Sequence, residues 1–245
     1  MSSYTTEYVK TNMLVATYGG SMAYSLSTET SDIDVRGVFF PNMESLLGTK
    51  KYNDHFEASK DDPFIFRDIS TDDAVFHTVA KFANLIQRGN PTALEILFSD
   101  TFIYESEQWE KLSSLLRPFI NARGVFSSYH GYLSNQKNRY SASCDAKAYS
   151  HCLRLSYHGI NLLSTGNLQV ALAGEQRDLC MRIKTGLVSK DDSICLVESA
   201  SKELLRYDPE KTPSPLPLES RPDELSRAIT EFMQDYITKG LCCIK

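Results

Sequence analysis

The sequence predicts an α+β protein with two lobes, an α/β lobe in residues 1–104 and an α-helical lobe in residues 105–245. Short apolar runs that stop at glycine or proline, as strands do, are concentrated in the first part of the chain. From about residue 105 onward the apolar residues recur with the spacing of helices instead. A functional site is therefore expected in the cleft between the two lobes.

The first half of the α/β lobe is predicted to alternate strands with short helices. Residues 13–18 are apolar and end at a Gly-Gly turn, which predicts the first strand. A short helix is expected over 21–26, and a second strand over 33–40, where Pro41 stops it. Residues 42–47 are predicted to form another short helix.

Residues 50–62 are polar, and we predict a mobile loop near the site. The run 64–69 predicts a third strand. From residue 74 to Gly89 the apolar spacing predicts a core-facing helix, with Asp72 supplying favourable charge at its N-terminus. A short helix over 92–98 completes this lobe.

The second lobe is predicted to consist of helices joined by short connections. Their ranges are 105–117, 124–140, 145–164, 175–186 and 192–206. Four prolines between residues 209 and 217 mark a linker near 208–221. A terminal helix over 222–238 follows this linker.

Composition excludes several classes of protein. No apolar run is long enough to cross a bilayer, and the N-terminal residues show no basic-then-apolar leader. The six cysteines have no CxxC spacing, which indicates neither a zinc site nor a redox pair. We therefore expect no membrane partner, reduced thiols and a cytoplasmic location, which would be the host cytoplasm if a phage encodes the chain.

Charge is distributed unevenly along the chain. The net charge of −5 argues against indiscriminate binding to nucleic acid. Residues 111–190 nevertheless contain eleven Lys or Arg against three Asp or Glu. A basic segment facing an acidic first lobe would suit a triphosphate or RNA between them, although solvated helix surfaces also collect basic residues.

The most informative motif combines a glycine turn with a pair of aspartates. Gly20-Ser21 follows the first predicted strand, and Asp32 and Asp34 lie at the start of the second. Residues i and i+2 of a strand share a face, so the two carboxylates are expected to act together as oxygen ligands of a divalent metal. The Gly-Ser turn offers N–H groups and a hydroxyl to phosphates. These features predict metal-assisted phosphoryl chemistry.

Basic side chains in the second lobe recur with helical spacing. Lys147, His151, Arg154 and His158 are separated by four, three and four residues, which places them on one helix face. Such a face would suit a polyphosphate, but it is also compatible with a solvated surface that forms intrahelical ion pairs.

Two further charged residues each allow two interpretations. Arg36 shares a strand face with Asp34 and would either contact phosphate or form a structural ion pair. Glu95 would either hold a cation of the second lobe or approach a nucleotide.

Taken together, the motifs resemble those of the DNA polymerase β-like nucleotidyltransferase superfamily. Tyr18-Gly19-Gly20-Ser21 and Asp32-Ile33-Asp34-Val35 fill its hG[GS] and Dh[DE]h positions. Further segments resemble a branch of predicted nucleotidyltransferases found beside RNA ligases in bacteria and phages, namely Arg36-Gly37-Val38-Phe39-x-Pro41, Asn90-Pro91-Thr92 and Lys147-x-x-x-His151-x-x-Arg154. The resemblance extends from about residue 13 to about residue 190, and Ser25 departs from the glycine usual in that branch.

The resemblance implies a polymerase β-like lobe with a small mixed sheet and a site that uses Mg²⁺ or Mn²⁺. Asp32 and Asp34 would bind two metal ions, with a third carboxylate from a neighbouring strand. We choose Asp68 for that carboxylate, with Asp72 and then Asp73 as alternatives. The phosphate-binding residues would be Gly20, Ser21, Arg36, Lys147, His151 and Arg154.

The implied reaction transfers a nucleoside monophosphate from an NTP, such as ATP, to an acceptor and releases pyrophosphate. The acceptor stays open between an RNA 3′ end such as that of tRNA, which we rank first, a protein, a small molecule and a second nucleotide. The oligomeric state is not predicted. A non-catalytic nucleotide-binding or interaction protein on the same fold is the main alternative. A DxD phosphohydrolase is disfavoured, because Arg36 occupies the Thr/Val position of its motif.

Overall fold

The computed structural model describes residues 4–58, 63–143 and 145–240. Its strands are β1 (Met13–Tyr18), β2 (Asp34–Phe39), β3 (His55–Glu57), β4 (Ile65–Phe66), β5 (Ile69–Ser70), β6 (Asp73–Thr78) and β7 (Phe102–Glu105). Five of them form one sheet in the order β3-β6-β2-β1-β7, and β4 and β5 form a separate hairpin. In the larger sheet only β2 and β6 pair in parallel, so the sheet is small and mixed.

Helices make up most of the rest of the described chain. They are α1 (Thr6–Asn12), α2 (Gly20–Ala23), α3 (Met43–Leu47), α4 (Val79–Gln87), α5 (Pro91–Leu97), α6 (Glu107–Leu116), α7 (Ala122–Ser143), α8 (Ala146–Thr165), α9 (Gly174–Lys184), α10 (Lys190–Leu205) and α11 (Pro222–Thr238). A 3-10 turn over Arg117–Phe119 follows α6. Ser106, Asp145 and Ser189 accept backbone N–H groups at the starts of α6, α8 and α10, which explains where these helices begin.

The structure confirms most of the predicted elements. The strands over 13–18 and 33–40 and all the helices of the second half are present with small shifts at their ends. Neither α1 nor β7, which pairs with β1, was predicted from the sequence. The division at residue 104 stays a prediction, and one hydrophobic core contains residues on both sides of it, such as Leu14 and Leu155.

The predicted third strand over 64–69 is wrong in one respect, because it is broken by a tight turn. Arg67 and Asp68 have φ angles of +48° and +68° between β4 and β5. Positive φ at both central residues is typical of a type I′ hairpin turn. The turn leaves Asp68 exposed at the tip of the hairpin.

The predicted helix over 74–89 begins later than expected, because residues 73–78 form β6. Ala74, Phe76 and Thr78 are buried while the residues between them are less buried, which is the alternation of a strand. Thr78 then caps α4 by accepting the N–H of Lys81. Val75 and Phe76 are compatible with the apolar spacing of a helix as well as with the alternation of a strand. Hydrogen bonding to β2 determines that this segment is a strand.

Asp72 therefore does not stand at a helix N-terminus, as the sequence had suggested. Its carboxylate accepts the N–H of Ile33 at 2.8 Å, and its own N–H donates to the Ile33 carbonyl at 2.9 Å. Asp72 aligns the beginnings of β2 and β6.

The polar loop over 50–62 contains the short strand β3, and residues 59–62 lie outside the described residues. None of Cys152, Cys180 and Cys195 forms a disulfide, whereas the other three cysteines lie outside the part of the chain whose side chains are described. Among the described residues, no helix is both long enough and apolar enough to cross a membrane.

Gly37 is the position where the sheet has least room. A Cβ there would lie 2.3 Å from the Val15 carbonyl oxygen and 2.4 Å from the Phe76 ring. We predict that Gly37→Ala lowers the free energy of unfolding by roughly 2–4 kcal/mol, measured by urea denaturation. Gly131→Ala is the control, because a Cβ on this α7 residue meets nothing within 4 Å. Gly131→Ala should instead raise the free energy of unfolding by about 0.5–1 kcal/mol. Equal urea midpoints for the two variants would contradict the prediction.

Candidate functional site

A cavity of about 480 Å³ lies between the turn after β1, the beginning of β2 and the helices α5, α8 and α9. Among the residues that line it are eight of the predicted site residues: Gly20, Ser21, Asp32, Asp34, Arg36, Lys147, His151 and Arg154. Asp68 is the one predicted site residue that does not line the cavity. The structure thus brings the glycine turn, the aspartate pair and the basic helix face to one place.

The glycine turn lies directly against the second aspartate. Gly20 has a φ of +54°, and a Cβ on it would lie 1.8 Å from Asp34 Oδ2. The N–H of Gly19 donates to the Asp34 carbonyl at 2.8 Å. Only glycine allows this approach, and the approach brings the Ser21 hydroxyl to the same cavity as the carboxylates.

The carboxylate of the neighbouring strand that lies beside Asp34 is that of Asp73, which does not itself line the cavity. The parallel register of β2 and β6 places Asp73 opposite Asp34. The guanidinium of Arg36 links them, since its Nη2 lies 2.7 Å from Asp73 Oδ2 and 3.9 Å from Asp34 Oδ1. Arg36 thus forms the ion pair that was one of its two interpretations, and it also lines the cavity.

The environment of Asp34 raises the pKa of its carboxyl group. Burial raises its pKa and Arg36 lowers it, but the negative charges of Asp73 and Asp32 raise it further, and the net shift is upward. A carboxylate in this environment gains from an additional positive charge nearby.

The carboxylates fit a hard divalent cation by their chemistry. Within the described residues, no three side chains of the His, Cys, Asp or Glu type are arranged as a ready metal cage. Mg²⁺ rarely needs such a cage, because it binds one or two carboxylates and completes its shell with water and substrate phosphates. Asp32 and Asp34 at the cavity, with Asp73 beside Asp34, match that mode of binding.

The floor of the cavity is a buried ion pair between α5 and α8. Arg154 Nη1 donates to Glu95 Oε1 at 2.5 Å, and their side chains are 2% and 9% exposed. The Tyr24 hydroxyl donates to Glu95 Oε2 at 2.7 Å, and the Arg154 guanidinium lies over the Tyr24 ring at 3.6 Å. Glu95 therefore holds a cation of the helical part of the chain, which was one of its two interpretations, and it also lines the cavity.

This pair sets the protonation of the groups around it. Burial would raise the pKa of Glu95, but the Arg154 charge, the adjacent His158 ring and the hydrogen bond from Tyr24 lower it to about 2. Burial and the Arg154 charge lower the pKa of His151 to about 3. Burial is also the main reason why the pKa of His158 is lowered. At neutral pH the cluster is a charged Glu–Arg pair with two neutral imidazoles.

Two lysines bring positive charge to the cavity. In the described part of the chain, neither Lys147 nor Lys184 forms an ion pair, although both line the cavity. Lys184 comes from the last turn of α9, and its Nζ donates to the Leu26 carbonyl at 2.6 Å. Sequence reasoning missed Lys184, because it lies 37 residues after Lys147 and belongs to no motif.

Ser25, which stands where the similar branch usually has glycine, lies in the loop after α2. Ser25 has a φ of +59°, a conformation that glycine adopts without strain. Its carbonyl accepts the Nε of Arg177 at 3.0 Å. The carbonyls of Ser25 and Leu26 thus both accept basic side chains of α9, which holds this helix at the rim of the cavity.

Comparison with known protein families agrees with this geometry. The family model RlaP, which describes the RNA repair pathway DNA polymerase beta family, matches residues 3–189 of this chain. The match covers β1 to β7 and helices α1 to α9, and therefore every residue of the cavity. No curated protein matches the chain significantly.

The buried pair predicts a specific dependence of stability on pH. Because Glu95 has a lower pKa in the folded protein than its ordinary 4.5, its contribution is fully present above pH 4.5 and is lost as the pH falls to about 2. We predict that Glu95→Gln loses roughly 3–5 kcal/mol at pH 7, because Arg154 stays buried without its partner. Urea denaturation between pH 7 and pH 2.5 should show the variant losing less additional stability than the wild type.

Glu107→Gln is the matched control for this measurement, since Glu107 forms an exposed pair with Lys111. Its stability should stay within error of the wild type at pH 7. A Glu95→Gln variant that is as stable as this control would contradict the prediction.

Proposed function

Because the chain belongs to the RNA repair pathway DNA polymerase beta family, we propose that it transfers a nucleoside monophosphate from an NTP to an acceptor hydroxyl and releases pyrophosphate. The observation that carries this proposal is the placing of Asp34 against the Gly20-Ser21 turn, in one cavity with two lysines that form no ion pair among the described residues. Carboxylates, a phosphate-binding turn and free positive charge are the groups that this reaction requires.

Asp32, Asp34 and Asp73 are the residues that would hold Mg²⁺ or Mn²⁺. When bound, such an ion supplies positive charge for the triphosphate and lowers the pKa of the attacking hydroxyl. We propose Asp73 in place of Asp68 as the third carboxylate. The register of β2 and β6 supports this assignment, and the exposed hairpin turn at Asp68 gives that residue no comparable position.

The protein's own groups would position and neutralise the triphosphate. The Gly20 N–H and the Ser21 hydroxyl are proposed to bind the β- and γ-phosphates. The acceptor oxygen forms a bond to the α-phosphorus, its proton goes to the carboxylate cluster, and the α–β bridging bond breaks. Lys147 and Lys184 would offset the charge on the departing pyrophosphate. Arg154 is less suited to that task than the sequence suggested, because Glu95 already balances its charge.

We propose RNA as the acceptor, with the 3′ end of a tRNA as the first candidate. The family description refers to RNA repair, and eleven Lys or Arg in residues 111–190 offer positive charge for a polynucleotide. Protein and small-molecule acceptors remain the alternative outcomes of the test.

The test is incubation with each α-³²P-labelled NTP, Mg²⁺ or Mn²⁺, and total cellular RNA or lysate. RNA, protein and small molecules are then separated and counted. We predict that label enters RNA and that Asp34→Asn lowers incorporation by about a hundredfold or more. Asp73→Asn should lower it strongly as well, because Asp73 lies opposite Asp34 in the register of β2 and β6. Asp68→Asn should match the wild type, because Asp68 lies in the exposed turn between β4 and β5.

Each result of this test has a definite meaning. Asp34-dependent label in the protein or small-molecule fraction would keep the reaction and replace RNA as the acceptor. NTP binding without Asp34-dependent label in any fraction would favour a non-catalytic nucleotide-binding protein. Loss of activity in Asp68→Asn, with Asp73→Asn unaffected, would overturn the assignment of the third carboxylate.

Lys184 provides a separate prediction. Lys184→Gln should lower kcat/KM for the NTP by about 10- to 100-fold, because it removes a charged hydrogen-bond donor from the phosphates. Lys202→Gln is the control, since Lys202 lies on α10 and does not line the cavity. Steady-state kinetics with the labelled NTP measure both variants, and equal values for them would remove Lys184 from the site.

A further inference from the structure

The hydrogen-bond chemistry of Arg154 determines which nitrogen of His151 carries the proton. Arg154 Nη2 lies 3.2 Å from His151 Nδ1. A guanidinium can only donate, so Nδ1 must accept. A neutral imidazole has one protonated nitrogen, and this arrangement leaves the proton on Nε2.

The charged groups around His151 keep the imidazole neutral. Arg154, His158 and Lys147 face it from α8 itself, and Glu95 faces it from α5. Burial and the adjacent guanidinium oppose a second proton and outweigh the attraction of Glu95. His151 is therefore an uncharged donor at neutral pH.

The protonated nitrogen of His151 is open to the cavity. His151 lines the cavity, and within the described chain its Nε2 donates to no protein group. Nε2 is also absent from the buried side-chain atoms of the described chain that lack a partner, among which is His158 Nε2. A bound molecule can thus accept its hydrogen bond.

Arg154 cannot turn away from His151 without breaking other contacts. Its Nη1 is held by Glu95 at 2.5 Å, and its guanidinium plane lies against the Tyr24 ring. Glu95 in turn is fixed by the Tyr24 hydroxyl. Glu95 therefore fixes the guanidinium that donates to His151 Nδ1, although Glu95 itself forms no hydrogen bond with His151 within the described chain.

We propose that His151 is a neutral, substrate-binding hydrogen-bond donor that acts through Nε2–H, and that Glu95 is a positioning residue acting on it through Arg154. The ligand is the NTP, and this part of the inference rests on the proposed function. The acceptor is an oxygen of its phosphate chain, whose negative charge is balanced separately by Lys147 and Lys184. His151 thus contributes a directional hydrogen bond to NTP binding rather than a positive charge.

The first test reads the tautomer directly. In protein labelled with ¹⁵N in its imidazoles, long-range ¹H–¹⁵N spectra distinguish an Nε2–H ring, an Nδ1–H ring and an imidazolium. Comparison with His151→Gln assigns the signal among the five histidines. We expect the Nε2–H pattern for His151, unchanged from pH 8 to pH 5.5. An Nδ1–H pattern, or a ring that titrates in this interval, would overturn the proposal.

The second test concerns the positioning role of Glu95. The double variant Glu95→Gln/Arg154→Met removes both charges while keeping similar volumes, so it avoids an unpaired buried charge. We expect the His151 signal to become a mixture of tautomers that titrates closer to pH 6.5. An unchanged Nε2–H pattern in the folded double variant would show that Glu95 and Arg154 do not position His151.

The third test measures binding of ATP with Mg²⁺ by titration calorimetry. His151→Ala should weaken binding by about tenfold, because a donor to a charged oxygen is lost. His151→Gln should restore most of the affinity through its amide N–H, and the exposed His130→Ala on α7 should have no effect. Wild-type affinity in His151→Ala would overturn the role in binding.

These readouts separate the inference from the proposed reaction. The expected tautomer and ATP affinities, without Asp34-dependent label transfer, would keep the inference and refute nucleotidyl transfer. Asp34-dependent label transfer with an Nδ1–H ring at His151 would support nucleotidyl transfer and refute the inference about His151.

Discussion

The rest of the site depends on the buried ion pair between Glu95 and Arg154. Removing two charges from water is costly, and the cost is recovered only where geometry and additional hydrogen bonds are good. Here Tyr24 supplies both a hydroxyl for the carboxylate and a ring face for the guanidinium. The pair joins the short helix after the Asn-Pro turn to α8, and so it sets the position of the basic helix against the sheet.

This pairing also divides the cations of the cavity into two groups. Arg154 and Arg36 are balanced by Glu95 and Asp73, and they organise the site. Lys147 and Lys184 have no carboxylate partner in the described chain, and they are available to a polyanion. A count of basic residues along one helix does not separate these roles, because the balancing carboxylates lie on other elements. The distances to those carboxylates, together with the burial of the side chains, distinguish the paired arginines from the two lysines.

The parallel pairing of β2 and β6 organises the acidic side of the cavity. It places Asp73 opposite Asp34 and leaves Asp72 to bond the backbone at Ile33. Asp68, Asp72 and Asp73 lie within six residues, and each is a plausible ligand from the sequence alone. Their roles differ because Asp68 lies in a type I′ turn, whereas β6 begins between Asp72 and Asp73. Pairing with β2 determines where β6 begins.

The sequence by itself determined the spacing of the Gly-Ser turn and the DxD pair and the helical periodicity of the second half. These features depend on local sterics and on side chains within one element, which a linear pattern records. The tertiary structure alone decided that 73–78 is a strand, that Lys184 reaches the cavity and that Glu95 holds Arg154. Each of these depends on a partner distant in sequence, so its free energy has no local signature in the chain.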